Sequence, residues 1–125
     1  MIFDSMYFQN AVIGSAMHAA IFRNEVISNN IANADTPGFK KSRVEFEDSL
    51  QRALDNAGRT GEKDLSRVGM RAVIMHESFK YRVDENNVDM ETEMTGLYKN
   101  AAKYDALTGM LTNNSRRLNL VITGR

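Results

Sequence analysis

Residues 89–123 read DMETEMTGLYKNAAKYDALTGMLTNNSRRLNLVIT, and this stretch decides the fold. Mostly apolar residues, with Thr108 and Ser115 as two small polar ones, recur in it at alternating steps of four and three. This heptad spacing places side chains on one face of a helix. Asp89 precedes the run and is predicted to be the N-cap of a long helix. The predicted C-terminal seam consists of Met90, Met94, Leu97, Ala101, Tyr104, Leu111, Leu118 and Ile122.

The N-terminal part of the chain carries a second stripe with the same spacing. Asn10 and Asn24 interrupt it, and each either fixes the register between packed helices or faces solvent. Other apolar residues beside the stripe make it wider than a two-stranded seam, which predicts contact with more than one helix. The predicted N-terminal seam consists of Met6, Ile13, Met17, Ala20, Ile27 and Ile31.

The two stripes predict helices of similar length, about 43 Å and about 50 Å at a rise of 1.5 Å per residue. We therefore expect an all-α fold in which long N- and C-terminal helices pack as a coiled-coil-like pair. The predicted single domain divides into an N-terminal helix over residues 1–34, a turn and extended interaction loop over residues 35–87, and a C-terminal helix over residues 88–125. We expect at most a short strand in the loop.

The loop begins at a predicted turn. Pro37 has a fixed φ and precedes Gly38, which tolerates a positive φ, and this order is typical of a type II turn. Val44, Phe46, Leu50 and Leu54 then indicate a short amphipathic helix, and Phe79, Tyr81 and Val83 alternate with charged residues as in one short strand. We expect this segment to bury little core.

Composition excludes several classes of function. Lysine plus arginine and aspartate plus glutamate number 16 each, so no net field favours nucleic acid or an anionic membrane. The chain has no cysteine, and its two histidines lie far apart in sequence, so we expect no metal, no cofactor and no catalytic site. No apolar run is long enough to span a membrane, and no signal peptide is recognisable, so we expect any export to use another route.

The breadth of the stripes predicts self-association. Small chains with little core are usually stabilised by disulfides, metals or oligomerisation, and only oligomerisation remains for this one. Gly96 and Gly109 each cost about 1 kcal/mol of helix propensity, which indicates either close helix approach or a helix that forms fully only when packed. We expect folding of the terminal helices to be coupled to assembly.

The run Ser28-Asn29-Asn30-Ile31-Ala32-Asn33-Ala34-Asp35-Thr36-Pro37-Gly38-Phe39-Lys40 closely resembles the N-terminal signature shared by bacterial flagellar rod and hook proteins. The stretch from Asn87 to Ala106 resembles the C-terminal helix of the same family. Hook and distal rod members carry long β-rich insertions between these helices, whereas the middle of this chain is short and charged. The resemblance therefore points to the proximal rod.

The resemblance implies a structural subunit that assembles with copies of itself into a hollow helical drive shaft, which transmits torque and encloses an export channel. It implies other flagellar rod proteins, the inner-membrane ring and the type III export apparatus as partners, and neither nucleic acid nor a small-molecule substrate. The implied location is the periplasmic rod of the basal body, reached by type III export without a cleaved signal peptide. Phe46 and Leu50 resemble the element by which early flagellar substrates engage the export gate, although they equally fit one face of a small amphipathic helix.

Two other classes of function remain as alternatives. A small helical adaptor could dock on another protein or on a membrane surface, but a membrane-bound helix needs several cations, and Arg23 is the only lysine or arginine of the predicted N-terminal helix. An enzyme such as a peptidoglycan hydrolase needs acidic residues positioned in a cleft, and so small a core can hardly form one.

Overall fold

A computed structural model describes residues 2–65, 68–69, 71–75 and 83–124. Two long terminal helices pack against each other, and a short two-stranded sheet and a third helix lie between them in the sequence. The elements are α1 (Ile2–Ala32), β1 (Ser42–Glu45), α2 (Glu47–Thr60), β2 (Arg71–Ile74) and α3 (Met90–Thr123). The predicted fold class is confirmed. Among the described residues, no helix combines the length and apolarity that crossing a membrane requires.

Helices α1 and α3 run antiparallel along most of their length. Three amides bond across the pair: Asn30 Nδ2 to Glu93 Oε2 at 3.0 Å, Asn100 Nδ2 to Ala20 O at 2.7 Å, and Asn114 Nδ2 to Asn10 Oδ1 at 3.0 Å. Positions later in α1 thus lie beside positions earlier in α3, which places the N terminus of α1 and the C terminus of α3 at the same end. We call this the free end of the pair.

The ends of α3 follow from local chemistry. The carboxylate of Asp89 accepts from Glu91 N at 3.1 Å and from the Thr92 hydroxyl at 2.7 Å, so the predicted N-cap is confirmed. At the other end Gly124 adopts a φ of +67° and donates its N–H to Leu120 O, which satisfies one of the last free carbonyls.

The middle of the chain supplies part of the core. Strands β1 and β2 pair antiparallel, from Ser42 opposite Ile74 to Glu45 opposite Arg71. The residues of the main apolar cluster are Ala19, Val44 and Phe46, with Ala16, Phe22, Val26, Leu50 and Val68 packed against them. The middle therefore covers a second face of α1, more than we expected of so polar a segment. The breadth of the α1 stripe predicted further partner helices, whereas β1 and the residues at the start of α2 cover that second face.

One local expectation for the middle differs from the observed elements, and a second falls largely outside the described residues. The amphipathic helix begins at Glu47, so Val44 belongs to β1 and Phe46 directly precedes α2. Strand pairing at long range overrides the helical spacing there, because it satisfies the backbone groups of residues 42–45. Phe79 and Tyr81 of the predicted strand lie outside the described residues, and Val83 lies in an exposed turn.

Candidate assembly site

The end of α1 leads into a type II turn. Thr36 O accepts from Phe39 N at 3.3 Å, and Gly38 has a φ of +71°, as the predicted order of Pro37 and Gly38 requires. Gly38 N also donates to Asp84 O at 2.8 Å. The predicted turn is confirmed, and it docks on a segment that lies far away in the sequence.

Asn86 binds the carbonyls at the end of α1. Its side-chain Nδ2 lies 3.0 Å from Asn33 O, 3.0 Å from Ala34 O and 2.8 Å from Thr36 O, and its Oδ1 accepts from Val88 N at 2.8 Å. The residue is 1% exposed. The last carbonyls of a helix have no partner within the helix, so this amide acts as a cap supplied by a distant part of the chain.

Asn30 joins α1 to β1 and to α3. Its amide accepts from Ser42 N at 2.9 Å and donates to Ser42 O at 2.8 Å, as a residue of a neighbouring strand would. The same Nδ2 donates to the buried carboxylate of Glu93. One side chain thus sets the position of three elements.

Asn87 also joins separate elements through its side-chain amide. Its Oδ1 accepts from Lys41 N at 2.7 Å, and its Nδ2 donates to Met75 O at 2.9 Å, so it ties the start of β1 to the end of β2. We call Asn30, Asn86 and Asn87 the asparagine junction. Burying three amides is favourable only when their hydrogen bonds are made, and the junction therefore specifies one geometry for the end of the helical pair.

The junction gives part of the quoted signature an internal role. Asn33 donates to Asn29 O and accepts from the Thr36 hydroxyl, which stabilises the last turn of α1. Ile31 and Phe39 are partly buried, and Ala32 is exposed. The sequence marks this signature but does not single out Asn86, because a single buried amide leaves no periodic pattern.

The predicted seams fall partly inside the helical pair. On α1, Ala20 and Ile27 are buried, and Met6, Ile13, Met17 and Ile31 are partly buried. On α3, Met94, Leu97, Tyr104, Leu111 and Leu118 are partly buried, whereas Met90, Ala101 and Ile122 are exposed. Glu93 and Asn100 are the fully buried residues of α3, each one residue before a predicted seam position. The apolar stripe of α3 thus extends beyond the face that α1 covers.

The two glycines noted in α3 differ in surroundings. A Cβ at Gly96 would lie 3.7 Å from Ile27 Cδ1, so the helices approach each other closely there. At Gly109 a Cβ would meet no described atom within 4 Å. The helical pair thus offers a packing role for the first glycine and none for the second.

Phe46 and Leu50 pack inside the folded chain. Phe46 is 4% exposed and lies in the apolar cluster, and Leu50 packs against that cluster one turn into α2. The structure therefore gives both side chains a role in the core. Neither is presented on the surface as a ready recognition element.

Ion pairs connect the middle to α1 and stabilise the two-stranded sheet. Arg23 NH2 lies 2.7 Å from both carboxylate oxygens of Glu47, which joins α1 to the start of α2. Burial raises the pKa of Glu47, but the hydrogen bonds from Arg23 and from its own backbone outweigh that effect and hold the pKa below its ordinary value. Hydrogen bonds from Arg71 and Arg43 likewise lower the pKa of Glu45. Within the described residues, no three histidine or carboxylate side chains are grouped to hold a metal ion.

The amino-acid sequence is similar to those of known flagellar proteins. The family described as "Flagella basal body rod protein" matches residues 11–40, which span the last two thirds of α1 and the turn at Pro37 and Gly38. The chain is 32% identical over 115 residues to the flagellar basal body rod protein FlgB of Bacillus subtilis, covering 88% of this chain and 89% of that protein. It is 33% identical over 114 residues to FlgB of Borrelia hermsii, with coverage of 80% and 84%. FlgB of Proteus mirabilis is 35% identical over 98 residues, with coverage of 67% and 71%.

Proposed function

The chain belongs to the flagellar basal body rod protein family, and from that premise we propose that its terminal helices assemble with those of other copies into the proximal part of the rod. The resemblance found in the sequence is thereby confirmed, and several FlgB proteins are among the similar proteins. The chain is a structural component of the basal body rod, not an enzyme, and the family assembles with other rod proteins. In our proposal the product is a hollow helical shaft that transmits torque and encloses an export channel.

Exposed apolar side chains on both terminal helices carry this proposal. Large apolar residues clustered on a surface usually mark an interaction site. The exposed ones of α1 and α3 are Phe3, Tyr7, Ile21, Met90, Tyr98, Met110, Leu120, Val121 and Ile122. Five of them, Phe3, Tyr7 and the run from Leu120 to Ile122, lie at the free end of the pair. Packing between copies would remove this surface from water.

The same proposal includes the route and the neighbours of the subunit. We propose that the chain passes unfolded through the type III export apparatus without a cleaved signal peptide and joins the periplasmic rod above the inner-membrane ring. Phe46 and Leu50 are packed in the folded core, and an unfolded chain would expose them. The export gate could therefore bind an element at these residues only before the chain folds.

Helical content and association state test the assembly proposal together. Far-ultraviolet circular dichroism and sedimentation velocity of the full chain are measured across concentration, beside a truncation that lacks residues 1–33. We expect larger species and rising helicity with concentration, both lost on truncation. A helical monomer that stays monomeric at every concentration would refute self-assembly and would favour an adaptor.

Aspartate substitutions at two predicted seam positions are expected to have different effects. Leu111→Asp is expected to block assembly and motility, because it would bury an unpaired charge between packed helices. Ile27 is already buried inside the helical pair, so Ile27→Asp would unfold the subunit itself. Normal motility with Leu111→Asp would count against the role of that seam.

A further inference from the structure

A groove of about 280 Å³ runs between α1 and α3 on the face opposite the middle segment. Its walls are Ile21 and Asn24 of α1 and Ala101, Tyr104 and Asp105 of α3, with Ala20 and Asn100 also lining it. Ile21 follows the core residue Ala19 by two positions, or about 200° around the helix, so it points away from β1 and α2. We call this surface the outer groove. Ile21 is 47% exposed there.

An unpartnered polar atom belongs to this groove. Asn100 is 4% exposed, and its Nδ2 donates to Ala20 O, but its Oδ1 has no hydrogen-bond partner among the described residues. A buried amide oxygen without a donor costs free energy, and such atoms are rare in folded proteins. The helical pair therefore leaves one buried acceptor unpaired beside the groove.

The opposite side of α3 carries a row of exposed residues, most of them small. Lys99, Ala102, Ala106, Gly109 and Asn113 follow one another at steps of three and four, and all five are exposed. Ala102 and Gly109 lie about 180–200° around the helix from Asn100, on the side away from α1. We call these five residues the back row.

Gly109 has no explanation within one copy of the chain. Glycine is a poor helix former, and a Cβ at this position would meet no described atom within 4 Å. Gly96 is the matched contrast, because a Cβ there would touch Ile27. A glycine in the middle of an exposed helix face is explained if another helix approaches it closely.

The two surfaces are complementary in size and in charge. The outer groove presents the larger Ile21 and the acid Asp105, whereas the back row presents methyl groups, a glycine and the base Lys99. We propose that the back row of α3 in one copy packs into the outer groove of a second copy.

This contact joins two different surfaces, so one copy keeps a free groove and the other keeps a free row. Such a heterologous contact propagates and yields either a closed ring or an open helical array, as a tube requires. The inference rests on the proposed function and adds the pair of faces through which copies meet.

Mixed disulfide trapping tests the contact directly, because the chain has no cysteine of its own. One batch carries Ile21→Cys, a second carries Ala102→Cys, and the two are mixed and oxidised under assembling conditions. We expect a covalent heterodimer. The control pairs Ala102→Cys with Arg52→Cys, an exposed position on α2, and should yield less than a tenth as much dimer.

Sedimentation of the unmodified chain distinguishes failure of this particular contact from failure of self-assembly as a whole. If it associates in sedimentation while the Ile21 and Ala102 variants cross-link no better than the control pair, the contact is refuted and self-assembly stands. If it stays monomeric at every concentration, both proposals fail.

A glycine substitution gives a second, independent measurement. Gly109→Gln should raise the helicity of the dilute chain and yet weaken association at least tenfold, because the larger side chain blocks close approach. Gly58→Gln in α2, where a Cβ also meets nothing within 4 Å, is the matched control and should leave association unchanged. Association by Gly109→Gln equal to that of the control would overturn the proposed packing.

Discussion

Replacement of Asn86 tests whether the asparagine junction stabilises the end of the helical pair. The two protons of its Nδ2 serve three carbonyls at 2.8–3.0 Å, and its Oδ1 accepts one further bond. At a net value of about 1 kcal/mol for each hydrogen bond, two donated and one accepted, Asn86→Ala should lower the free energy of unfolding by about 3 kcal/mol.

Asn86→Asp separates hydrogen bonding from packing, because the new side chain has nearly the same shape. It keeps the acceptor for Val88 N but turns a second oxygen toward the three carbonyls, with a charge that burial leaves unpaired. At pH 7 we expect a loss at least as large as that of Asn86→Ala. Burial and the facing carbonyls raise the pKa of the new carboxyl, so the loss should shrink as the pH falls and the group becomes protonated.

Urea unfolding followed by far-ultraviolet circular dichroism measures both variants beside the unmodified chain. With an m-value of about 1–3 kcal/mol per molar urea, a loss of about 3 kcal/mol moves the midpoint by at least about 1 M. Asn113→Asp, on the exposed side of α3, is the matched control and should change stability little. The reasoning is refuted if Asn86→Asp at pH 7 unfolds at the same urea concentration as this control.

Further substitutions probe three features, which are the turn, the core and the helix cap. Gly38→Ala forces a side chain into a φ of +71° and should lose about 1–2 kcal/mol in urea, whereas Gly58→Ala within α2 should gain up to about 1 kcal/mol; equal effects would contradict the turn assignment. Phe46→Ala should lose about 3–5 kcal/mol, measured by the same unfolding, and a loss below about 1 kcal/mol would mean that the middle is not packed on α1. The hydrogen bond from the Thr92 hydroxyl, first among several, holds the pKa of Asp89 below its ordinary value, so its stabilising effect is complete above about pH 4 and is lost as the pH falls through the lower folded pKa. Thermal melts from pH 7 to pH 2 should therefore show a smaller acid loss for Asp89→Asn or Thr92→Val than for the unmodified chain, and identical slopes would exclude this effect.

Local chemistry determined the parts of this protein that the sequence alone predicts. The heptad stripes specify two long helices because side-chain spacing within one helix is a property of neighbouring residues. Asp89 at the start of α3 and Gly38 in the turn follow equally from the preferences of single residues for a cap and for a positive φ. The signature around Pro37 identified the family for the same reason, since it is a contiguous run.

Tertiary structure alone decided how these elements meet. Val44 has the spacing of a helix but lies in a strand, because its backbone pairs with that of residues 71–74. The sequence around Val44 does not predict this pairing. The side-chain amides of Asn30 and Asn86 donate hydrogen bonds to groups 12 to 63 residues away in the sequence. Their burial is favourable only because the fold brings these acceptors close. Tertiary structure also decided that Asn100, and not Ala101, faces α1. The heptad spacing only narrows the contact face of α3 to a few neighbouring residues. The hydrogen bond from Asn100 to Ala20 O across the pair then fixes which of them is buried.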